Sequence, residues 1–208
     1  MVVSLGIPMD ENSSYLRGAA LAPQKIREAY KSDSANSFTE DDIDLNNHNL
    51  WRDDGDLIIS PMPEAFMQIE NGIAKVLSEG NKILSLGGDH SVTYPIIKAF
   101  AKIYPSLNIL HIDAHGDLYH EFEGSKFSHA CPFARIMEEK LATRLVQVGI
   151  RTFTTHQREQ AKKFKVETIE MKDWNDNLQL NFVGPLYISL DLDALDPAFV
   201  PGVSHHEP

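Results

Sequence analysis

The largely apolar run from Leu107 to Ile112 stops directly at Asp113, His115 and Asp117, within the stretch His111-Ile-Asp-Ala-His-Gly-Asp117. In an extended strand, residues i, i+2 and i+4 share one face, so this spacing predicts that the three side chains converge. His111 is read as pointing away from the set, as a structural residue. Two further runs end the same way. Leu186-Tyr-Ile-Ser-Leu190 leads into Asp191-Leu-Asp193, and Asn81 to Leu86 leads into Gly87-Gly88-Asp89-His90. A fold that uses all three must bring their ends to one side. A parallel sheet does this, because ligands in such sheets gather beyond the carboxyl ends of the strands.

The rest of the chain fits that sheet. Val2 to Ile7 and Leu145 to Ile150 are further strand candidates, with another near Val166 to Ile169. Between them lie helical signals. Ala22-Pro23 opens a helix through Tyr30, with Pro in its first turn. Phe66, Ile69, Ile73, Val76 and Leu77 make one stripe between Pro63 and Gly80. Ser91 is placed to cap a helix carrying Ile96, Ile97, Phe100 and Ile103, and Phe133, Ile136, Met137 and Leu141 mark another. Thr154 with Gln157 predicts a capping box for a helix through Phe164. Residues 32–56 are polar and acidic with little periodicity, and are read as a solvated loop with one buried turn at Leu50-Trp51. Strands alternating with helices along the whole length imply one α/β domain, residues 1–208, with a mainly parallel sheet.

Composition narrows the function. A formal charge of -11 excludes nucleic acid and anionic membrane as natural partners, and mildly favours a cationic substrate. No apolar run approaches the roughly 20 residues that span a bilayer. The amino terminus lacks the pattern of a signal peptide, and the one cysteine, Cys131, suits a reducing compartment, so a cytoplasmic location is expected. Cys131 is read as a partly buried thiol beside the site and not as a nucleophile.

The strand ends supply six candidate metal ligands: His90, Asp113, His115, Asp117, Asp191 and Asp193. That is enough for two ions. Carboxylates suit hard cations and imidazole shifts the preference toward transition metals, so the set points first to Mn2+. Two such ions lower the pKa of a shared water, and the implied chemistry is metal-assisted hydrolysis. His129, in Ser128-His-Ala-Cys-Pro-Phe133, is a candidate proton shuttle, since His titrates near neutral pH.

Leu86-Gly-Gly-Asp-His-Ser91, Asp113-Ala-His-Gly-Asp117, Ser128 to Phe133 and Ser189-Leu-Asp-Leu-Asp-Ala-Leu-Asp-Pro197, in this order and spacing, resemble the ureohydrolase family of arginases and agmatinases. Glu121 to His129 and Pro201-Gly-Val-Ser-His-His-Glu-Pro208 are most similar to plant-type arginases, which group with agmatinases. The resemblance implies a three-layer α/β/α fold and a binuclear manganese site. One ion would be held by His90, Asp113, Asp117 and Asp191, and the other by Asp113, His115, Asp191 and Asp193. It further implies that Asp117 orients the attacking hydroxide and accepts its proton, and that His129 protonates the departing amine. Urea would be released from a small cationic guanidino substrate, either agmatine or arginine. Other guanidino or formimino substrates, or a non-catalytic paralogue, are the alternatives. Members commonly form trimers or hexamers. In the family the chain continues past the Glu207-Pro208 motif into a further strand, interior to the sheet, and a Glu that grips the guanidinium. A chain ending at Pro208 is therefore expected to be incomplete, and to fold or bind substrate weakly.

Overall fold

The computed structural model describes residues 1–47 and 49–208, which form two compact units. The first comprises residues 1–11 and 17–99, and the second residues 12–16 and 100–208. Each is α/β, with a parallel sheet.

In the first unit β1 (Val2–Gly6) lies between β2 (Trp51–Asp56) and β3 (Lys82–Leu86), parallel to both. Three helices accompany them: α1 (Ala22–Tyr30), α2 (Glu64–Ser78) and α3 (Thr93–Ala101), along which the division between units falls. The 3.6-residue stripe predicted for α2 is the buried face, with Ala65, Ile69, Ile73, Val76 and Leu77 inside. Phe66 instead meets the Tyr94 ring edge-on.

Strand β2 corrects the reading of residues 32–56 as loop throughout. Trp-Arg-Asp-Asp-Gly-Asp has no apolar alternation because this edge strand contributes mainly backbone pairing. Its acidic side chains meet a cation: Arg27 of α1 donates to Asp53 at 2.7 Å and also to Asp56. In the turn after β3, Asp89 accepts from the Ser91 amide at 2.9 Å and heads a 3-10 turn, His90–Val92, that leads into α3. The loop before it approaches Met9 so closely that a Cβ on Gly88 would stand 1.7 Å from the Met9 carbonyl oxygen, which only glycine avoids.

The second unit has four parallel strands in the order β6-β5-β4-β7, namely β4 (Asn108–Ile112), β5 (Arg144–Ile150), β6 (Glu167–Glu170) and β7 (Leu186–Leu190). Helices α4 (Pro132–Glu138) and α5 (Thr155–Phe164) connect them, and Thr154 caps α5 as its spacing predicted, accepting from the Gln157 amide. Strands β4 and β5 are the interior pair and are largely buried. Among the described residues β7 pairs on one side only, and Leu186, Ile188 and Leu190 on its other-parity face are exposed. Strand β3 is likewise an edge of its own sheet, with Leu84 exposed.

Register positions the chemistry. Ile112 stands opposite Leu190, so the next residues, Asp113 and Asp191, leave the sheet side by side, and the Asp191 amide donates to the Ile112 carbonyl at 2.9 Å. Beneath them Phe133 is fully buried and stacks on the His111 ring, with centroids 4.0 Å apart. Phe133→Ala should destabilise the protein by about 3–5 kcal/mol, the cost of emptying a buried aromatic site. Phe133→Leu should cost clearly less. Urea denaturation of both variants is the check, and equal stabilities would contradict this packing role.

Candidate metal centre

The convergence of Asp113, His115 and Asp117 does not arise as their alternation predicted. Strand β4 ends at Ile112, and the residues beyond it follow a loop pinned to β5. The Asp113 amide donates to the Val148 carbonyl at 3.1 Å, and the Ala114 carbonyl accepts from the Arg151 and Thr152 amides at 2.8 and 3.1 Å. Between these anchors β5 is irregular: its register with β6 shifts between Val148 and Ile150, and Gly149 has φ +90°. A Cβ at Gly149 would lie 3.2 Å from the Asp113 carbonyl. Asp117 itself turns in the left-handed region, φ +46°.

On this frame Asp113, His115 and Asp193 present one donor atom each, all within 4.8 Å of one another. His115 Nδ1 stands 3.0 Å from Asp193 Oδ2 and 3.5 Å from Asp113 Oδ1. The two ligand segments are also joined by backbone, since the Ala114 amide donates to Asp193 Oδ1 at 3.3 Å. Asp191 opens the 3-10 turn Leu192–Ala194 and accepts from the Asp193 amide at 3.0 Å. Asp113, Asp117 and Asp193 are all buried. Burial raises the Asp193 carboxyl above its usual range, against the pull of His115. Burial alone would lower His115, but its bonds to Asp113 and Asp193 outweigh that and hold it at about 11.

His111 needs correction. It is structural, but it faces the set: its Nε2 bonds Asp113 Oδ2 at 2.7 Å, and its Nδ1 meets Gln147 Nε2 at 3.0 Å. Residues 111 and 113 have the same parity in β4 and its continuation, so the sequence carried this signal. Gln147 also donates to the Gly116 carbonyl at 2.5 Å, which fixes the loop from behind. A hydrogen-bonded imidazole behind a ligating carboxylate orients it and tunes its basicity.

His90 opens the capped turn after β3, in the first unit. His129 sits in the second, with Nε2 2.8 Å from Ser14 Oγ and its ring stacked on His205 at 5.6 Å. Ser14 lies 115 residues away in sequence and carried no signal. A cavity of about 530 Å³ adjoins, with Ser14, Tyr15, Phe122, Glu123, His205 and Glu207 in its wall. Glu207 Oε1 comes to 3.5 Å from His115 Nε2. Burial and the neighbouring His129 and His115 hold His205 below its ordinary value. Cys131 is fully buried, beyond the partial burial expected, and burial pushes its thiol up to about 12. It is no nucleophile.

The sequence pattern of the Arginase family matches residues 1–208, the whole chain. This chain belongs to the arginase family. It is 45% identical to the mitochondrial arginase of Medicago truncatula over 221 residues, covering 98% of this chain and 65% of that protein. The agmatinase of Bacillus anthracis is 33% identical, covering 97% of this chain and 70% of its own length. The solved structure of the Medicago truncatula arginase superimposes with a TM-score of 0.90 at 42% identity, over 100% of this chain and 70% of that one. The arginase-family chain thus spans about 65% of the length of the plant arginases it matches. Its α/β architecture with parallel sheets is the arginase-like fold that the motifs implied.

The donor set fits a divalent transition ion. A proton on His115 and a divalent cation would each neutralise Asp113 and Asp193. With a folded pKa of about 11 against an ordinary 6.5, this pairing contributes stability that is fully present below pH 6.5 and is lost as pH rises through 11. Metal uptake at neutral pH should therefore release about one proton, because a ligating imidazole must be neutral. Calorimetry in buffers of different ionisation enthalpy reads that proton directly, and His115→Asn should remove it.

Proposed function

We propose that this arginase-family chain carries a binuclear manganese centre and hydrolyses a small cationic guanidino compound, agmatine or arginine, with release of urea. The observation that carries the reading is the triad of buried Asp113, half-buried His115 and buried Asp193, whose donor atoms lie within 4.8 Å of one another, in a chain that matches the family throughout. Mixed carboxylate and imidazole donors suit Mn2+. His90, Asp113, Asp117 and Asp191 would hold one ion, and Asp113, His115, Asp191 and Asp193 the other. When bound, the two ions supply a water acidic enough to act as nucleophile near neutral pH.

The protein's own groups complete the chemistry. Asp117, a buried carboxylate whose charge acts on His115, orients the nucleophile and takes up its proton. His129 delivers a proton from Nε2 to the departing amine, and the Ser14 hydroxyl at 2.8 Å orients that nitrogen. Glu123 and Glu207 in the cavity wall give the approach a negative field that favours a guanidinium. Urea leaves with putrescine from agmatine, or with ornithine from arginine.

Urea release from each substrate, with Mn2+ added, tests the proposal. His129→Asn should lower kcat by about 10²- to 10⁴-fold, the usual contribution of a general acid. Its manganese content should stay unchanged, whereas Asp193→Asn should lose metal as well as turnover. Two bound ions with no urea from any guanidino substrate would instead favour a non-catalytic paralogue.

A further inference from the structure

Arg151 follows the last residue of β5, and each of its three guanidinium nitrogens donates to a backbone carbonyl of the site. Its Nη2 donates to the Asp193 carbonyl at 2.6 Å and its Nη1 to the Ala194 carbonyl at 2.8 Å. Its Nε donates to the Glu207 carbonyl at 2.8 Å. Its own amide donates to the carbonyl of Ala114, the residue between Asp113 and His115, at 2.8 Å. Among the described residues Arg151 makes no ion pair with a carboxylate. A surface arginine normally meets one acidic side chain; this one meets three carbonyls on two segments.

The geometry suits the residue type. A guanidinium is a rigid planar fork whose N–H groups diverge, so it can hold three acceptors at fixed separations. Two of the acceptors close the end of the 3-10 turn Leu192–Ala194, where carbonyls lack partners from a following turn. A lysine offers its donors from one nitrogen and cannot reach all three.

We propose that Arg151 is the positioning residue of the metal centre, fixing the Asp193 turn and the Glu207 segment against the Asp113–His115 loop. Through the carbonyls it sets the spacing between His115 and Asp193. Through Glu207 it sets the cavity wall, whose carboxylate reaches 3.5 Å from His115. Metal and substrate determinants are thereby joined by one side chain that reaches both only through their backbone carbonyls. This inference rests on the metal-centre reading above.

The test compares wild type, Arg151→Ala and Arg151→Lys by Mn2+ titration calorimetry, by amide hydrogen exchange of the metal-free proteins, and by urea release at saturating Mn2+. Wild type should take up two equivalents. R151A should weaken one equivalent by about 10- to 100-fold, the usual effect of removing a group that orients metal ligands. Exchange should quicken at residues 193–195 and 205–207 and stay unchanged in α5. At saturating metal kcat should fall and KM rise, and R151K should recover only part of each loss. If R151A does not fold, R151K decides: a several-fold loss of manganese affinity supports the proposal and unchanged affinity overturns it. Wild-type affinity in R151A, or exchange quickened evenly through the unit, also overturns it. A wild-type protein that takes up no Mn2+ would instead remove the metal-centre reading beneath it.

Discussion

Two carboxylates, those of Asp113 and Asp193, are held out of water against one imidazole, and the charge of the buried Asp117 acts on the same ring. Charges of one sign repel most strongly where water is excluded, so this arrangement opposes folding unless a cation enters or a proton stays. Much of the second unit can be understood as the frame that holds it. The interior strands β4 and β5 give a rigid floor, and the parallel register with β7 delivers Asp113 and Asp191 together. Phe133, His111 and Gln147 form a stacked and hydrogen-bonded layer behind the ligands. A proton on His115 relieves the repulsion, and a divalent ion would do so more completely.

The strands and helices that face a core were legible because their periodicity is imposed by burial. The α2 stripe, the Thr154 cap and the strand ends at Leu86, Ile112 and Leu190 all followed from that. Strand β2 was not legible, since an edge strand of acidic residues matched to Arg27 leaves no apolar pattern. The ligand types at 113–117 were visible, but the path that gathers them was not. It depends on Val148, Gly149 and Arg151, some thirty-five residues downstream. Ser14 beside His129 and Arg151 across Asp193 and Glu207 are likewise products of topology, and local sequence is silent about them.

The β7 sequence, Leu-Tyr-Ile-Ser-Leu, is that of a strand suited to burial on both faces, as strands of parallel sheets with helical cover usually are. Among the described residues it is nevertheless an edge with its leucines and isoleucine exposed. This edge places an apolar face within one residue of Asp191. Order at this edge and order at the ligand are physically the same question, because the Asp191 amide is the next rung of the β4–β7 ladder.

The single thiol of the sequence is sealed beneath the site and held at about 12 by its burial. Thiol reagents act on the thiolate, so at neutral pH Cys131 is chemically silent. The protein is in effect a cysteine-free background. A cysteine introduced at exposed Glu123, on the cavity wall, would take up a spin label or fluorophore alone. Distances from that label to a paramagnetic ion could then be read without rebuilding the core.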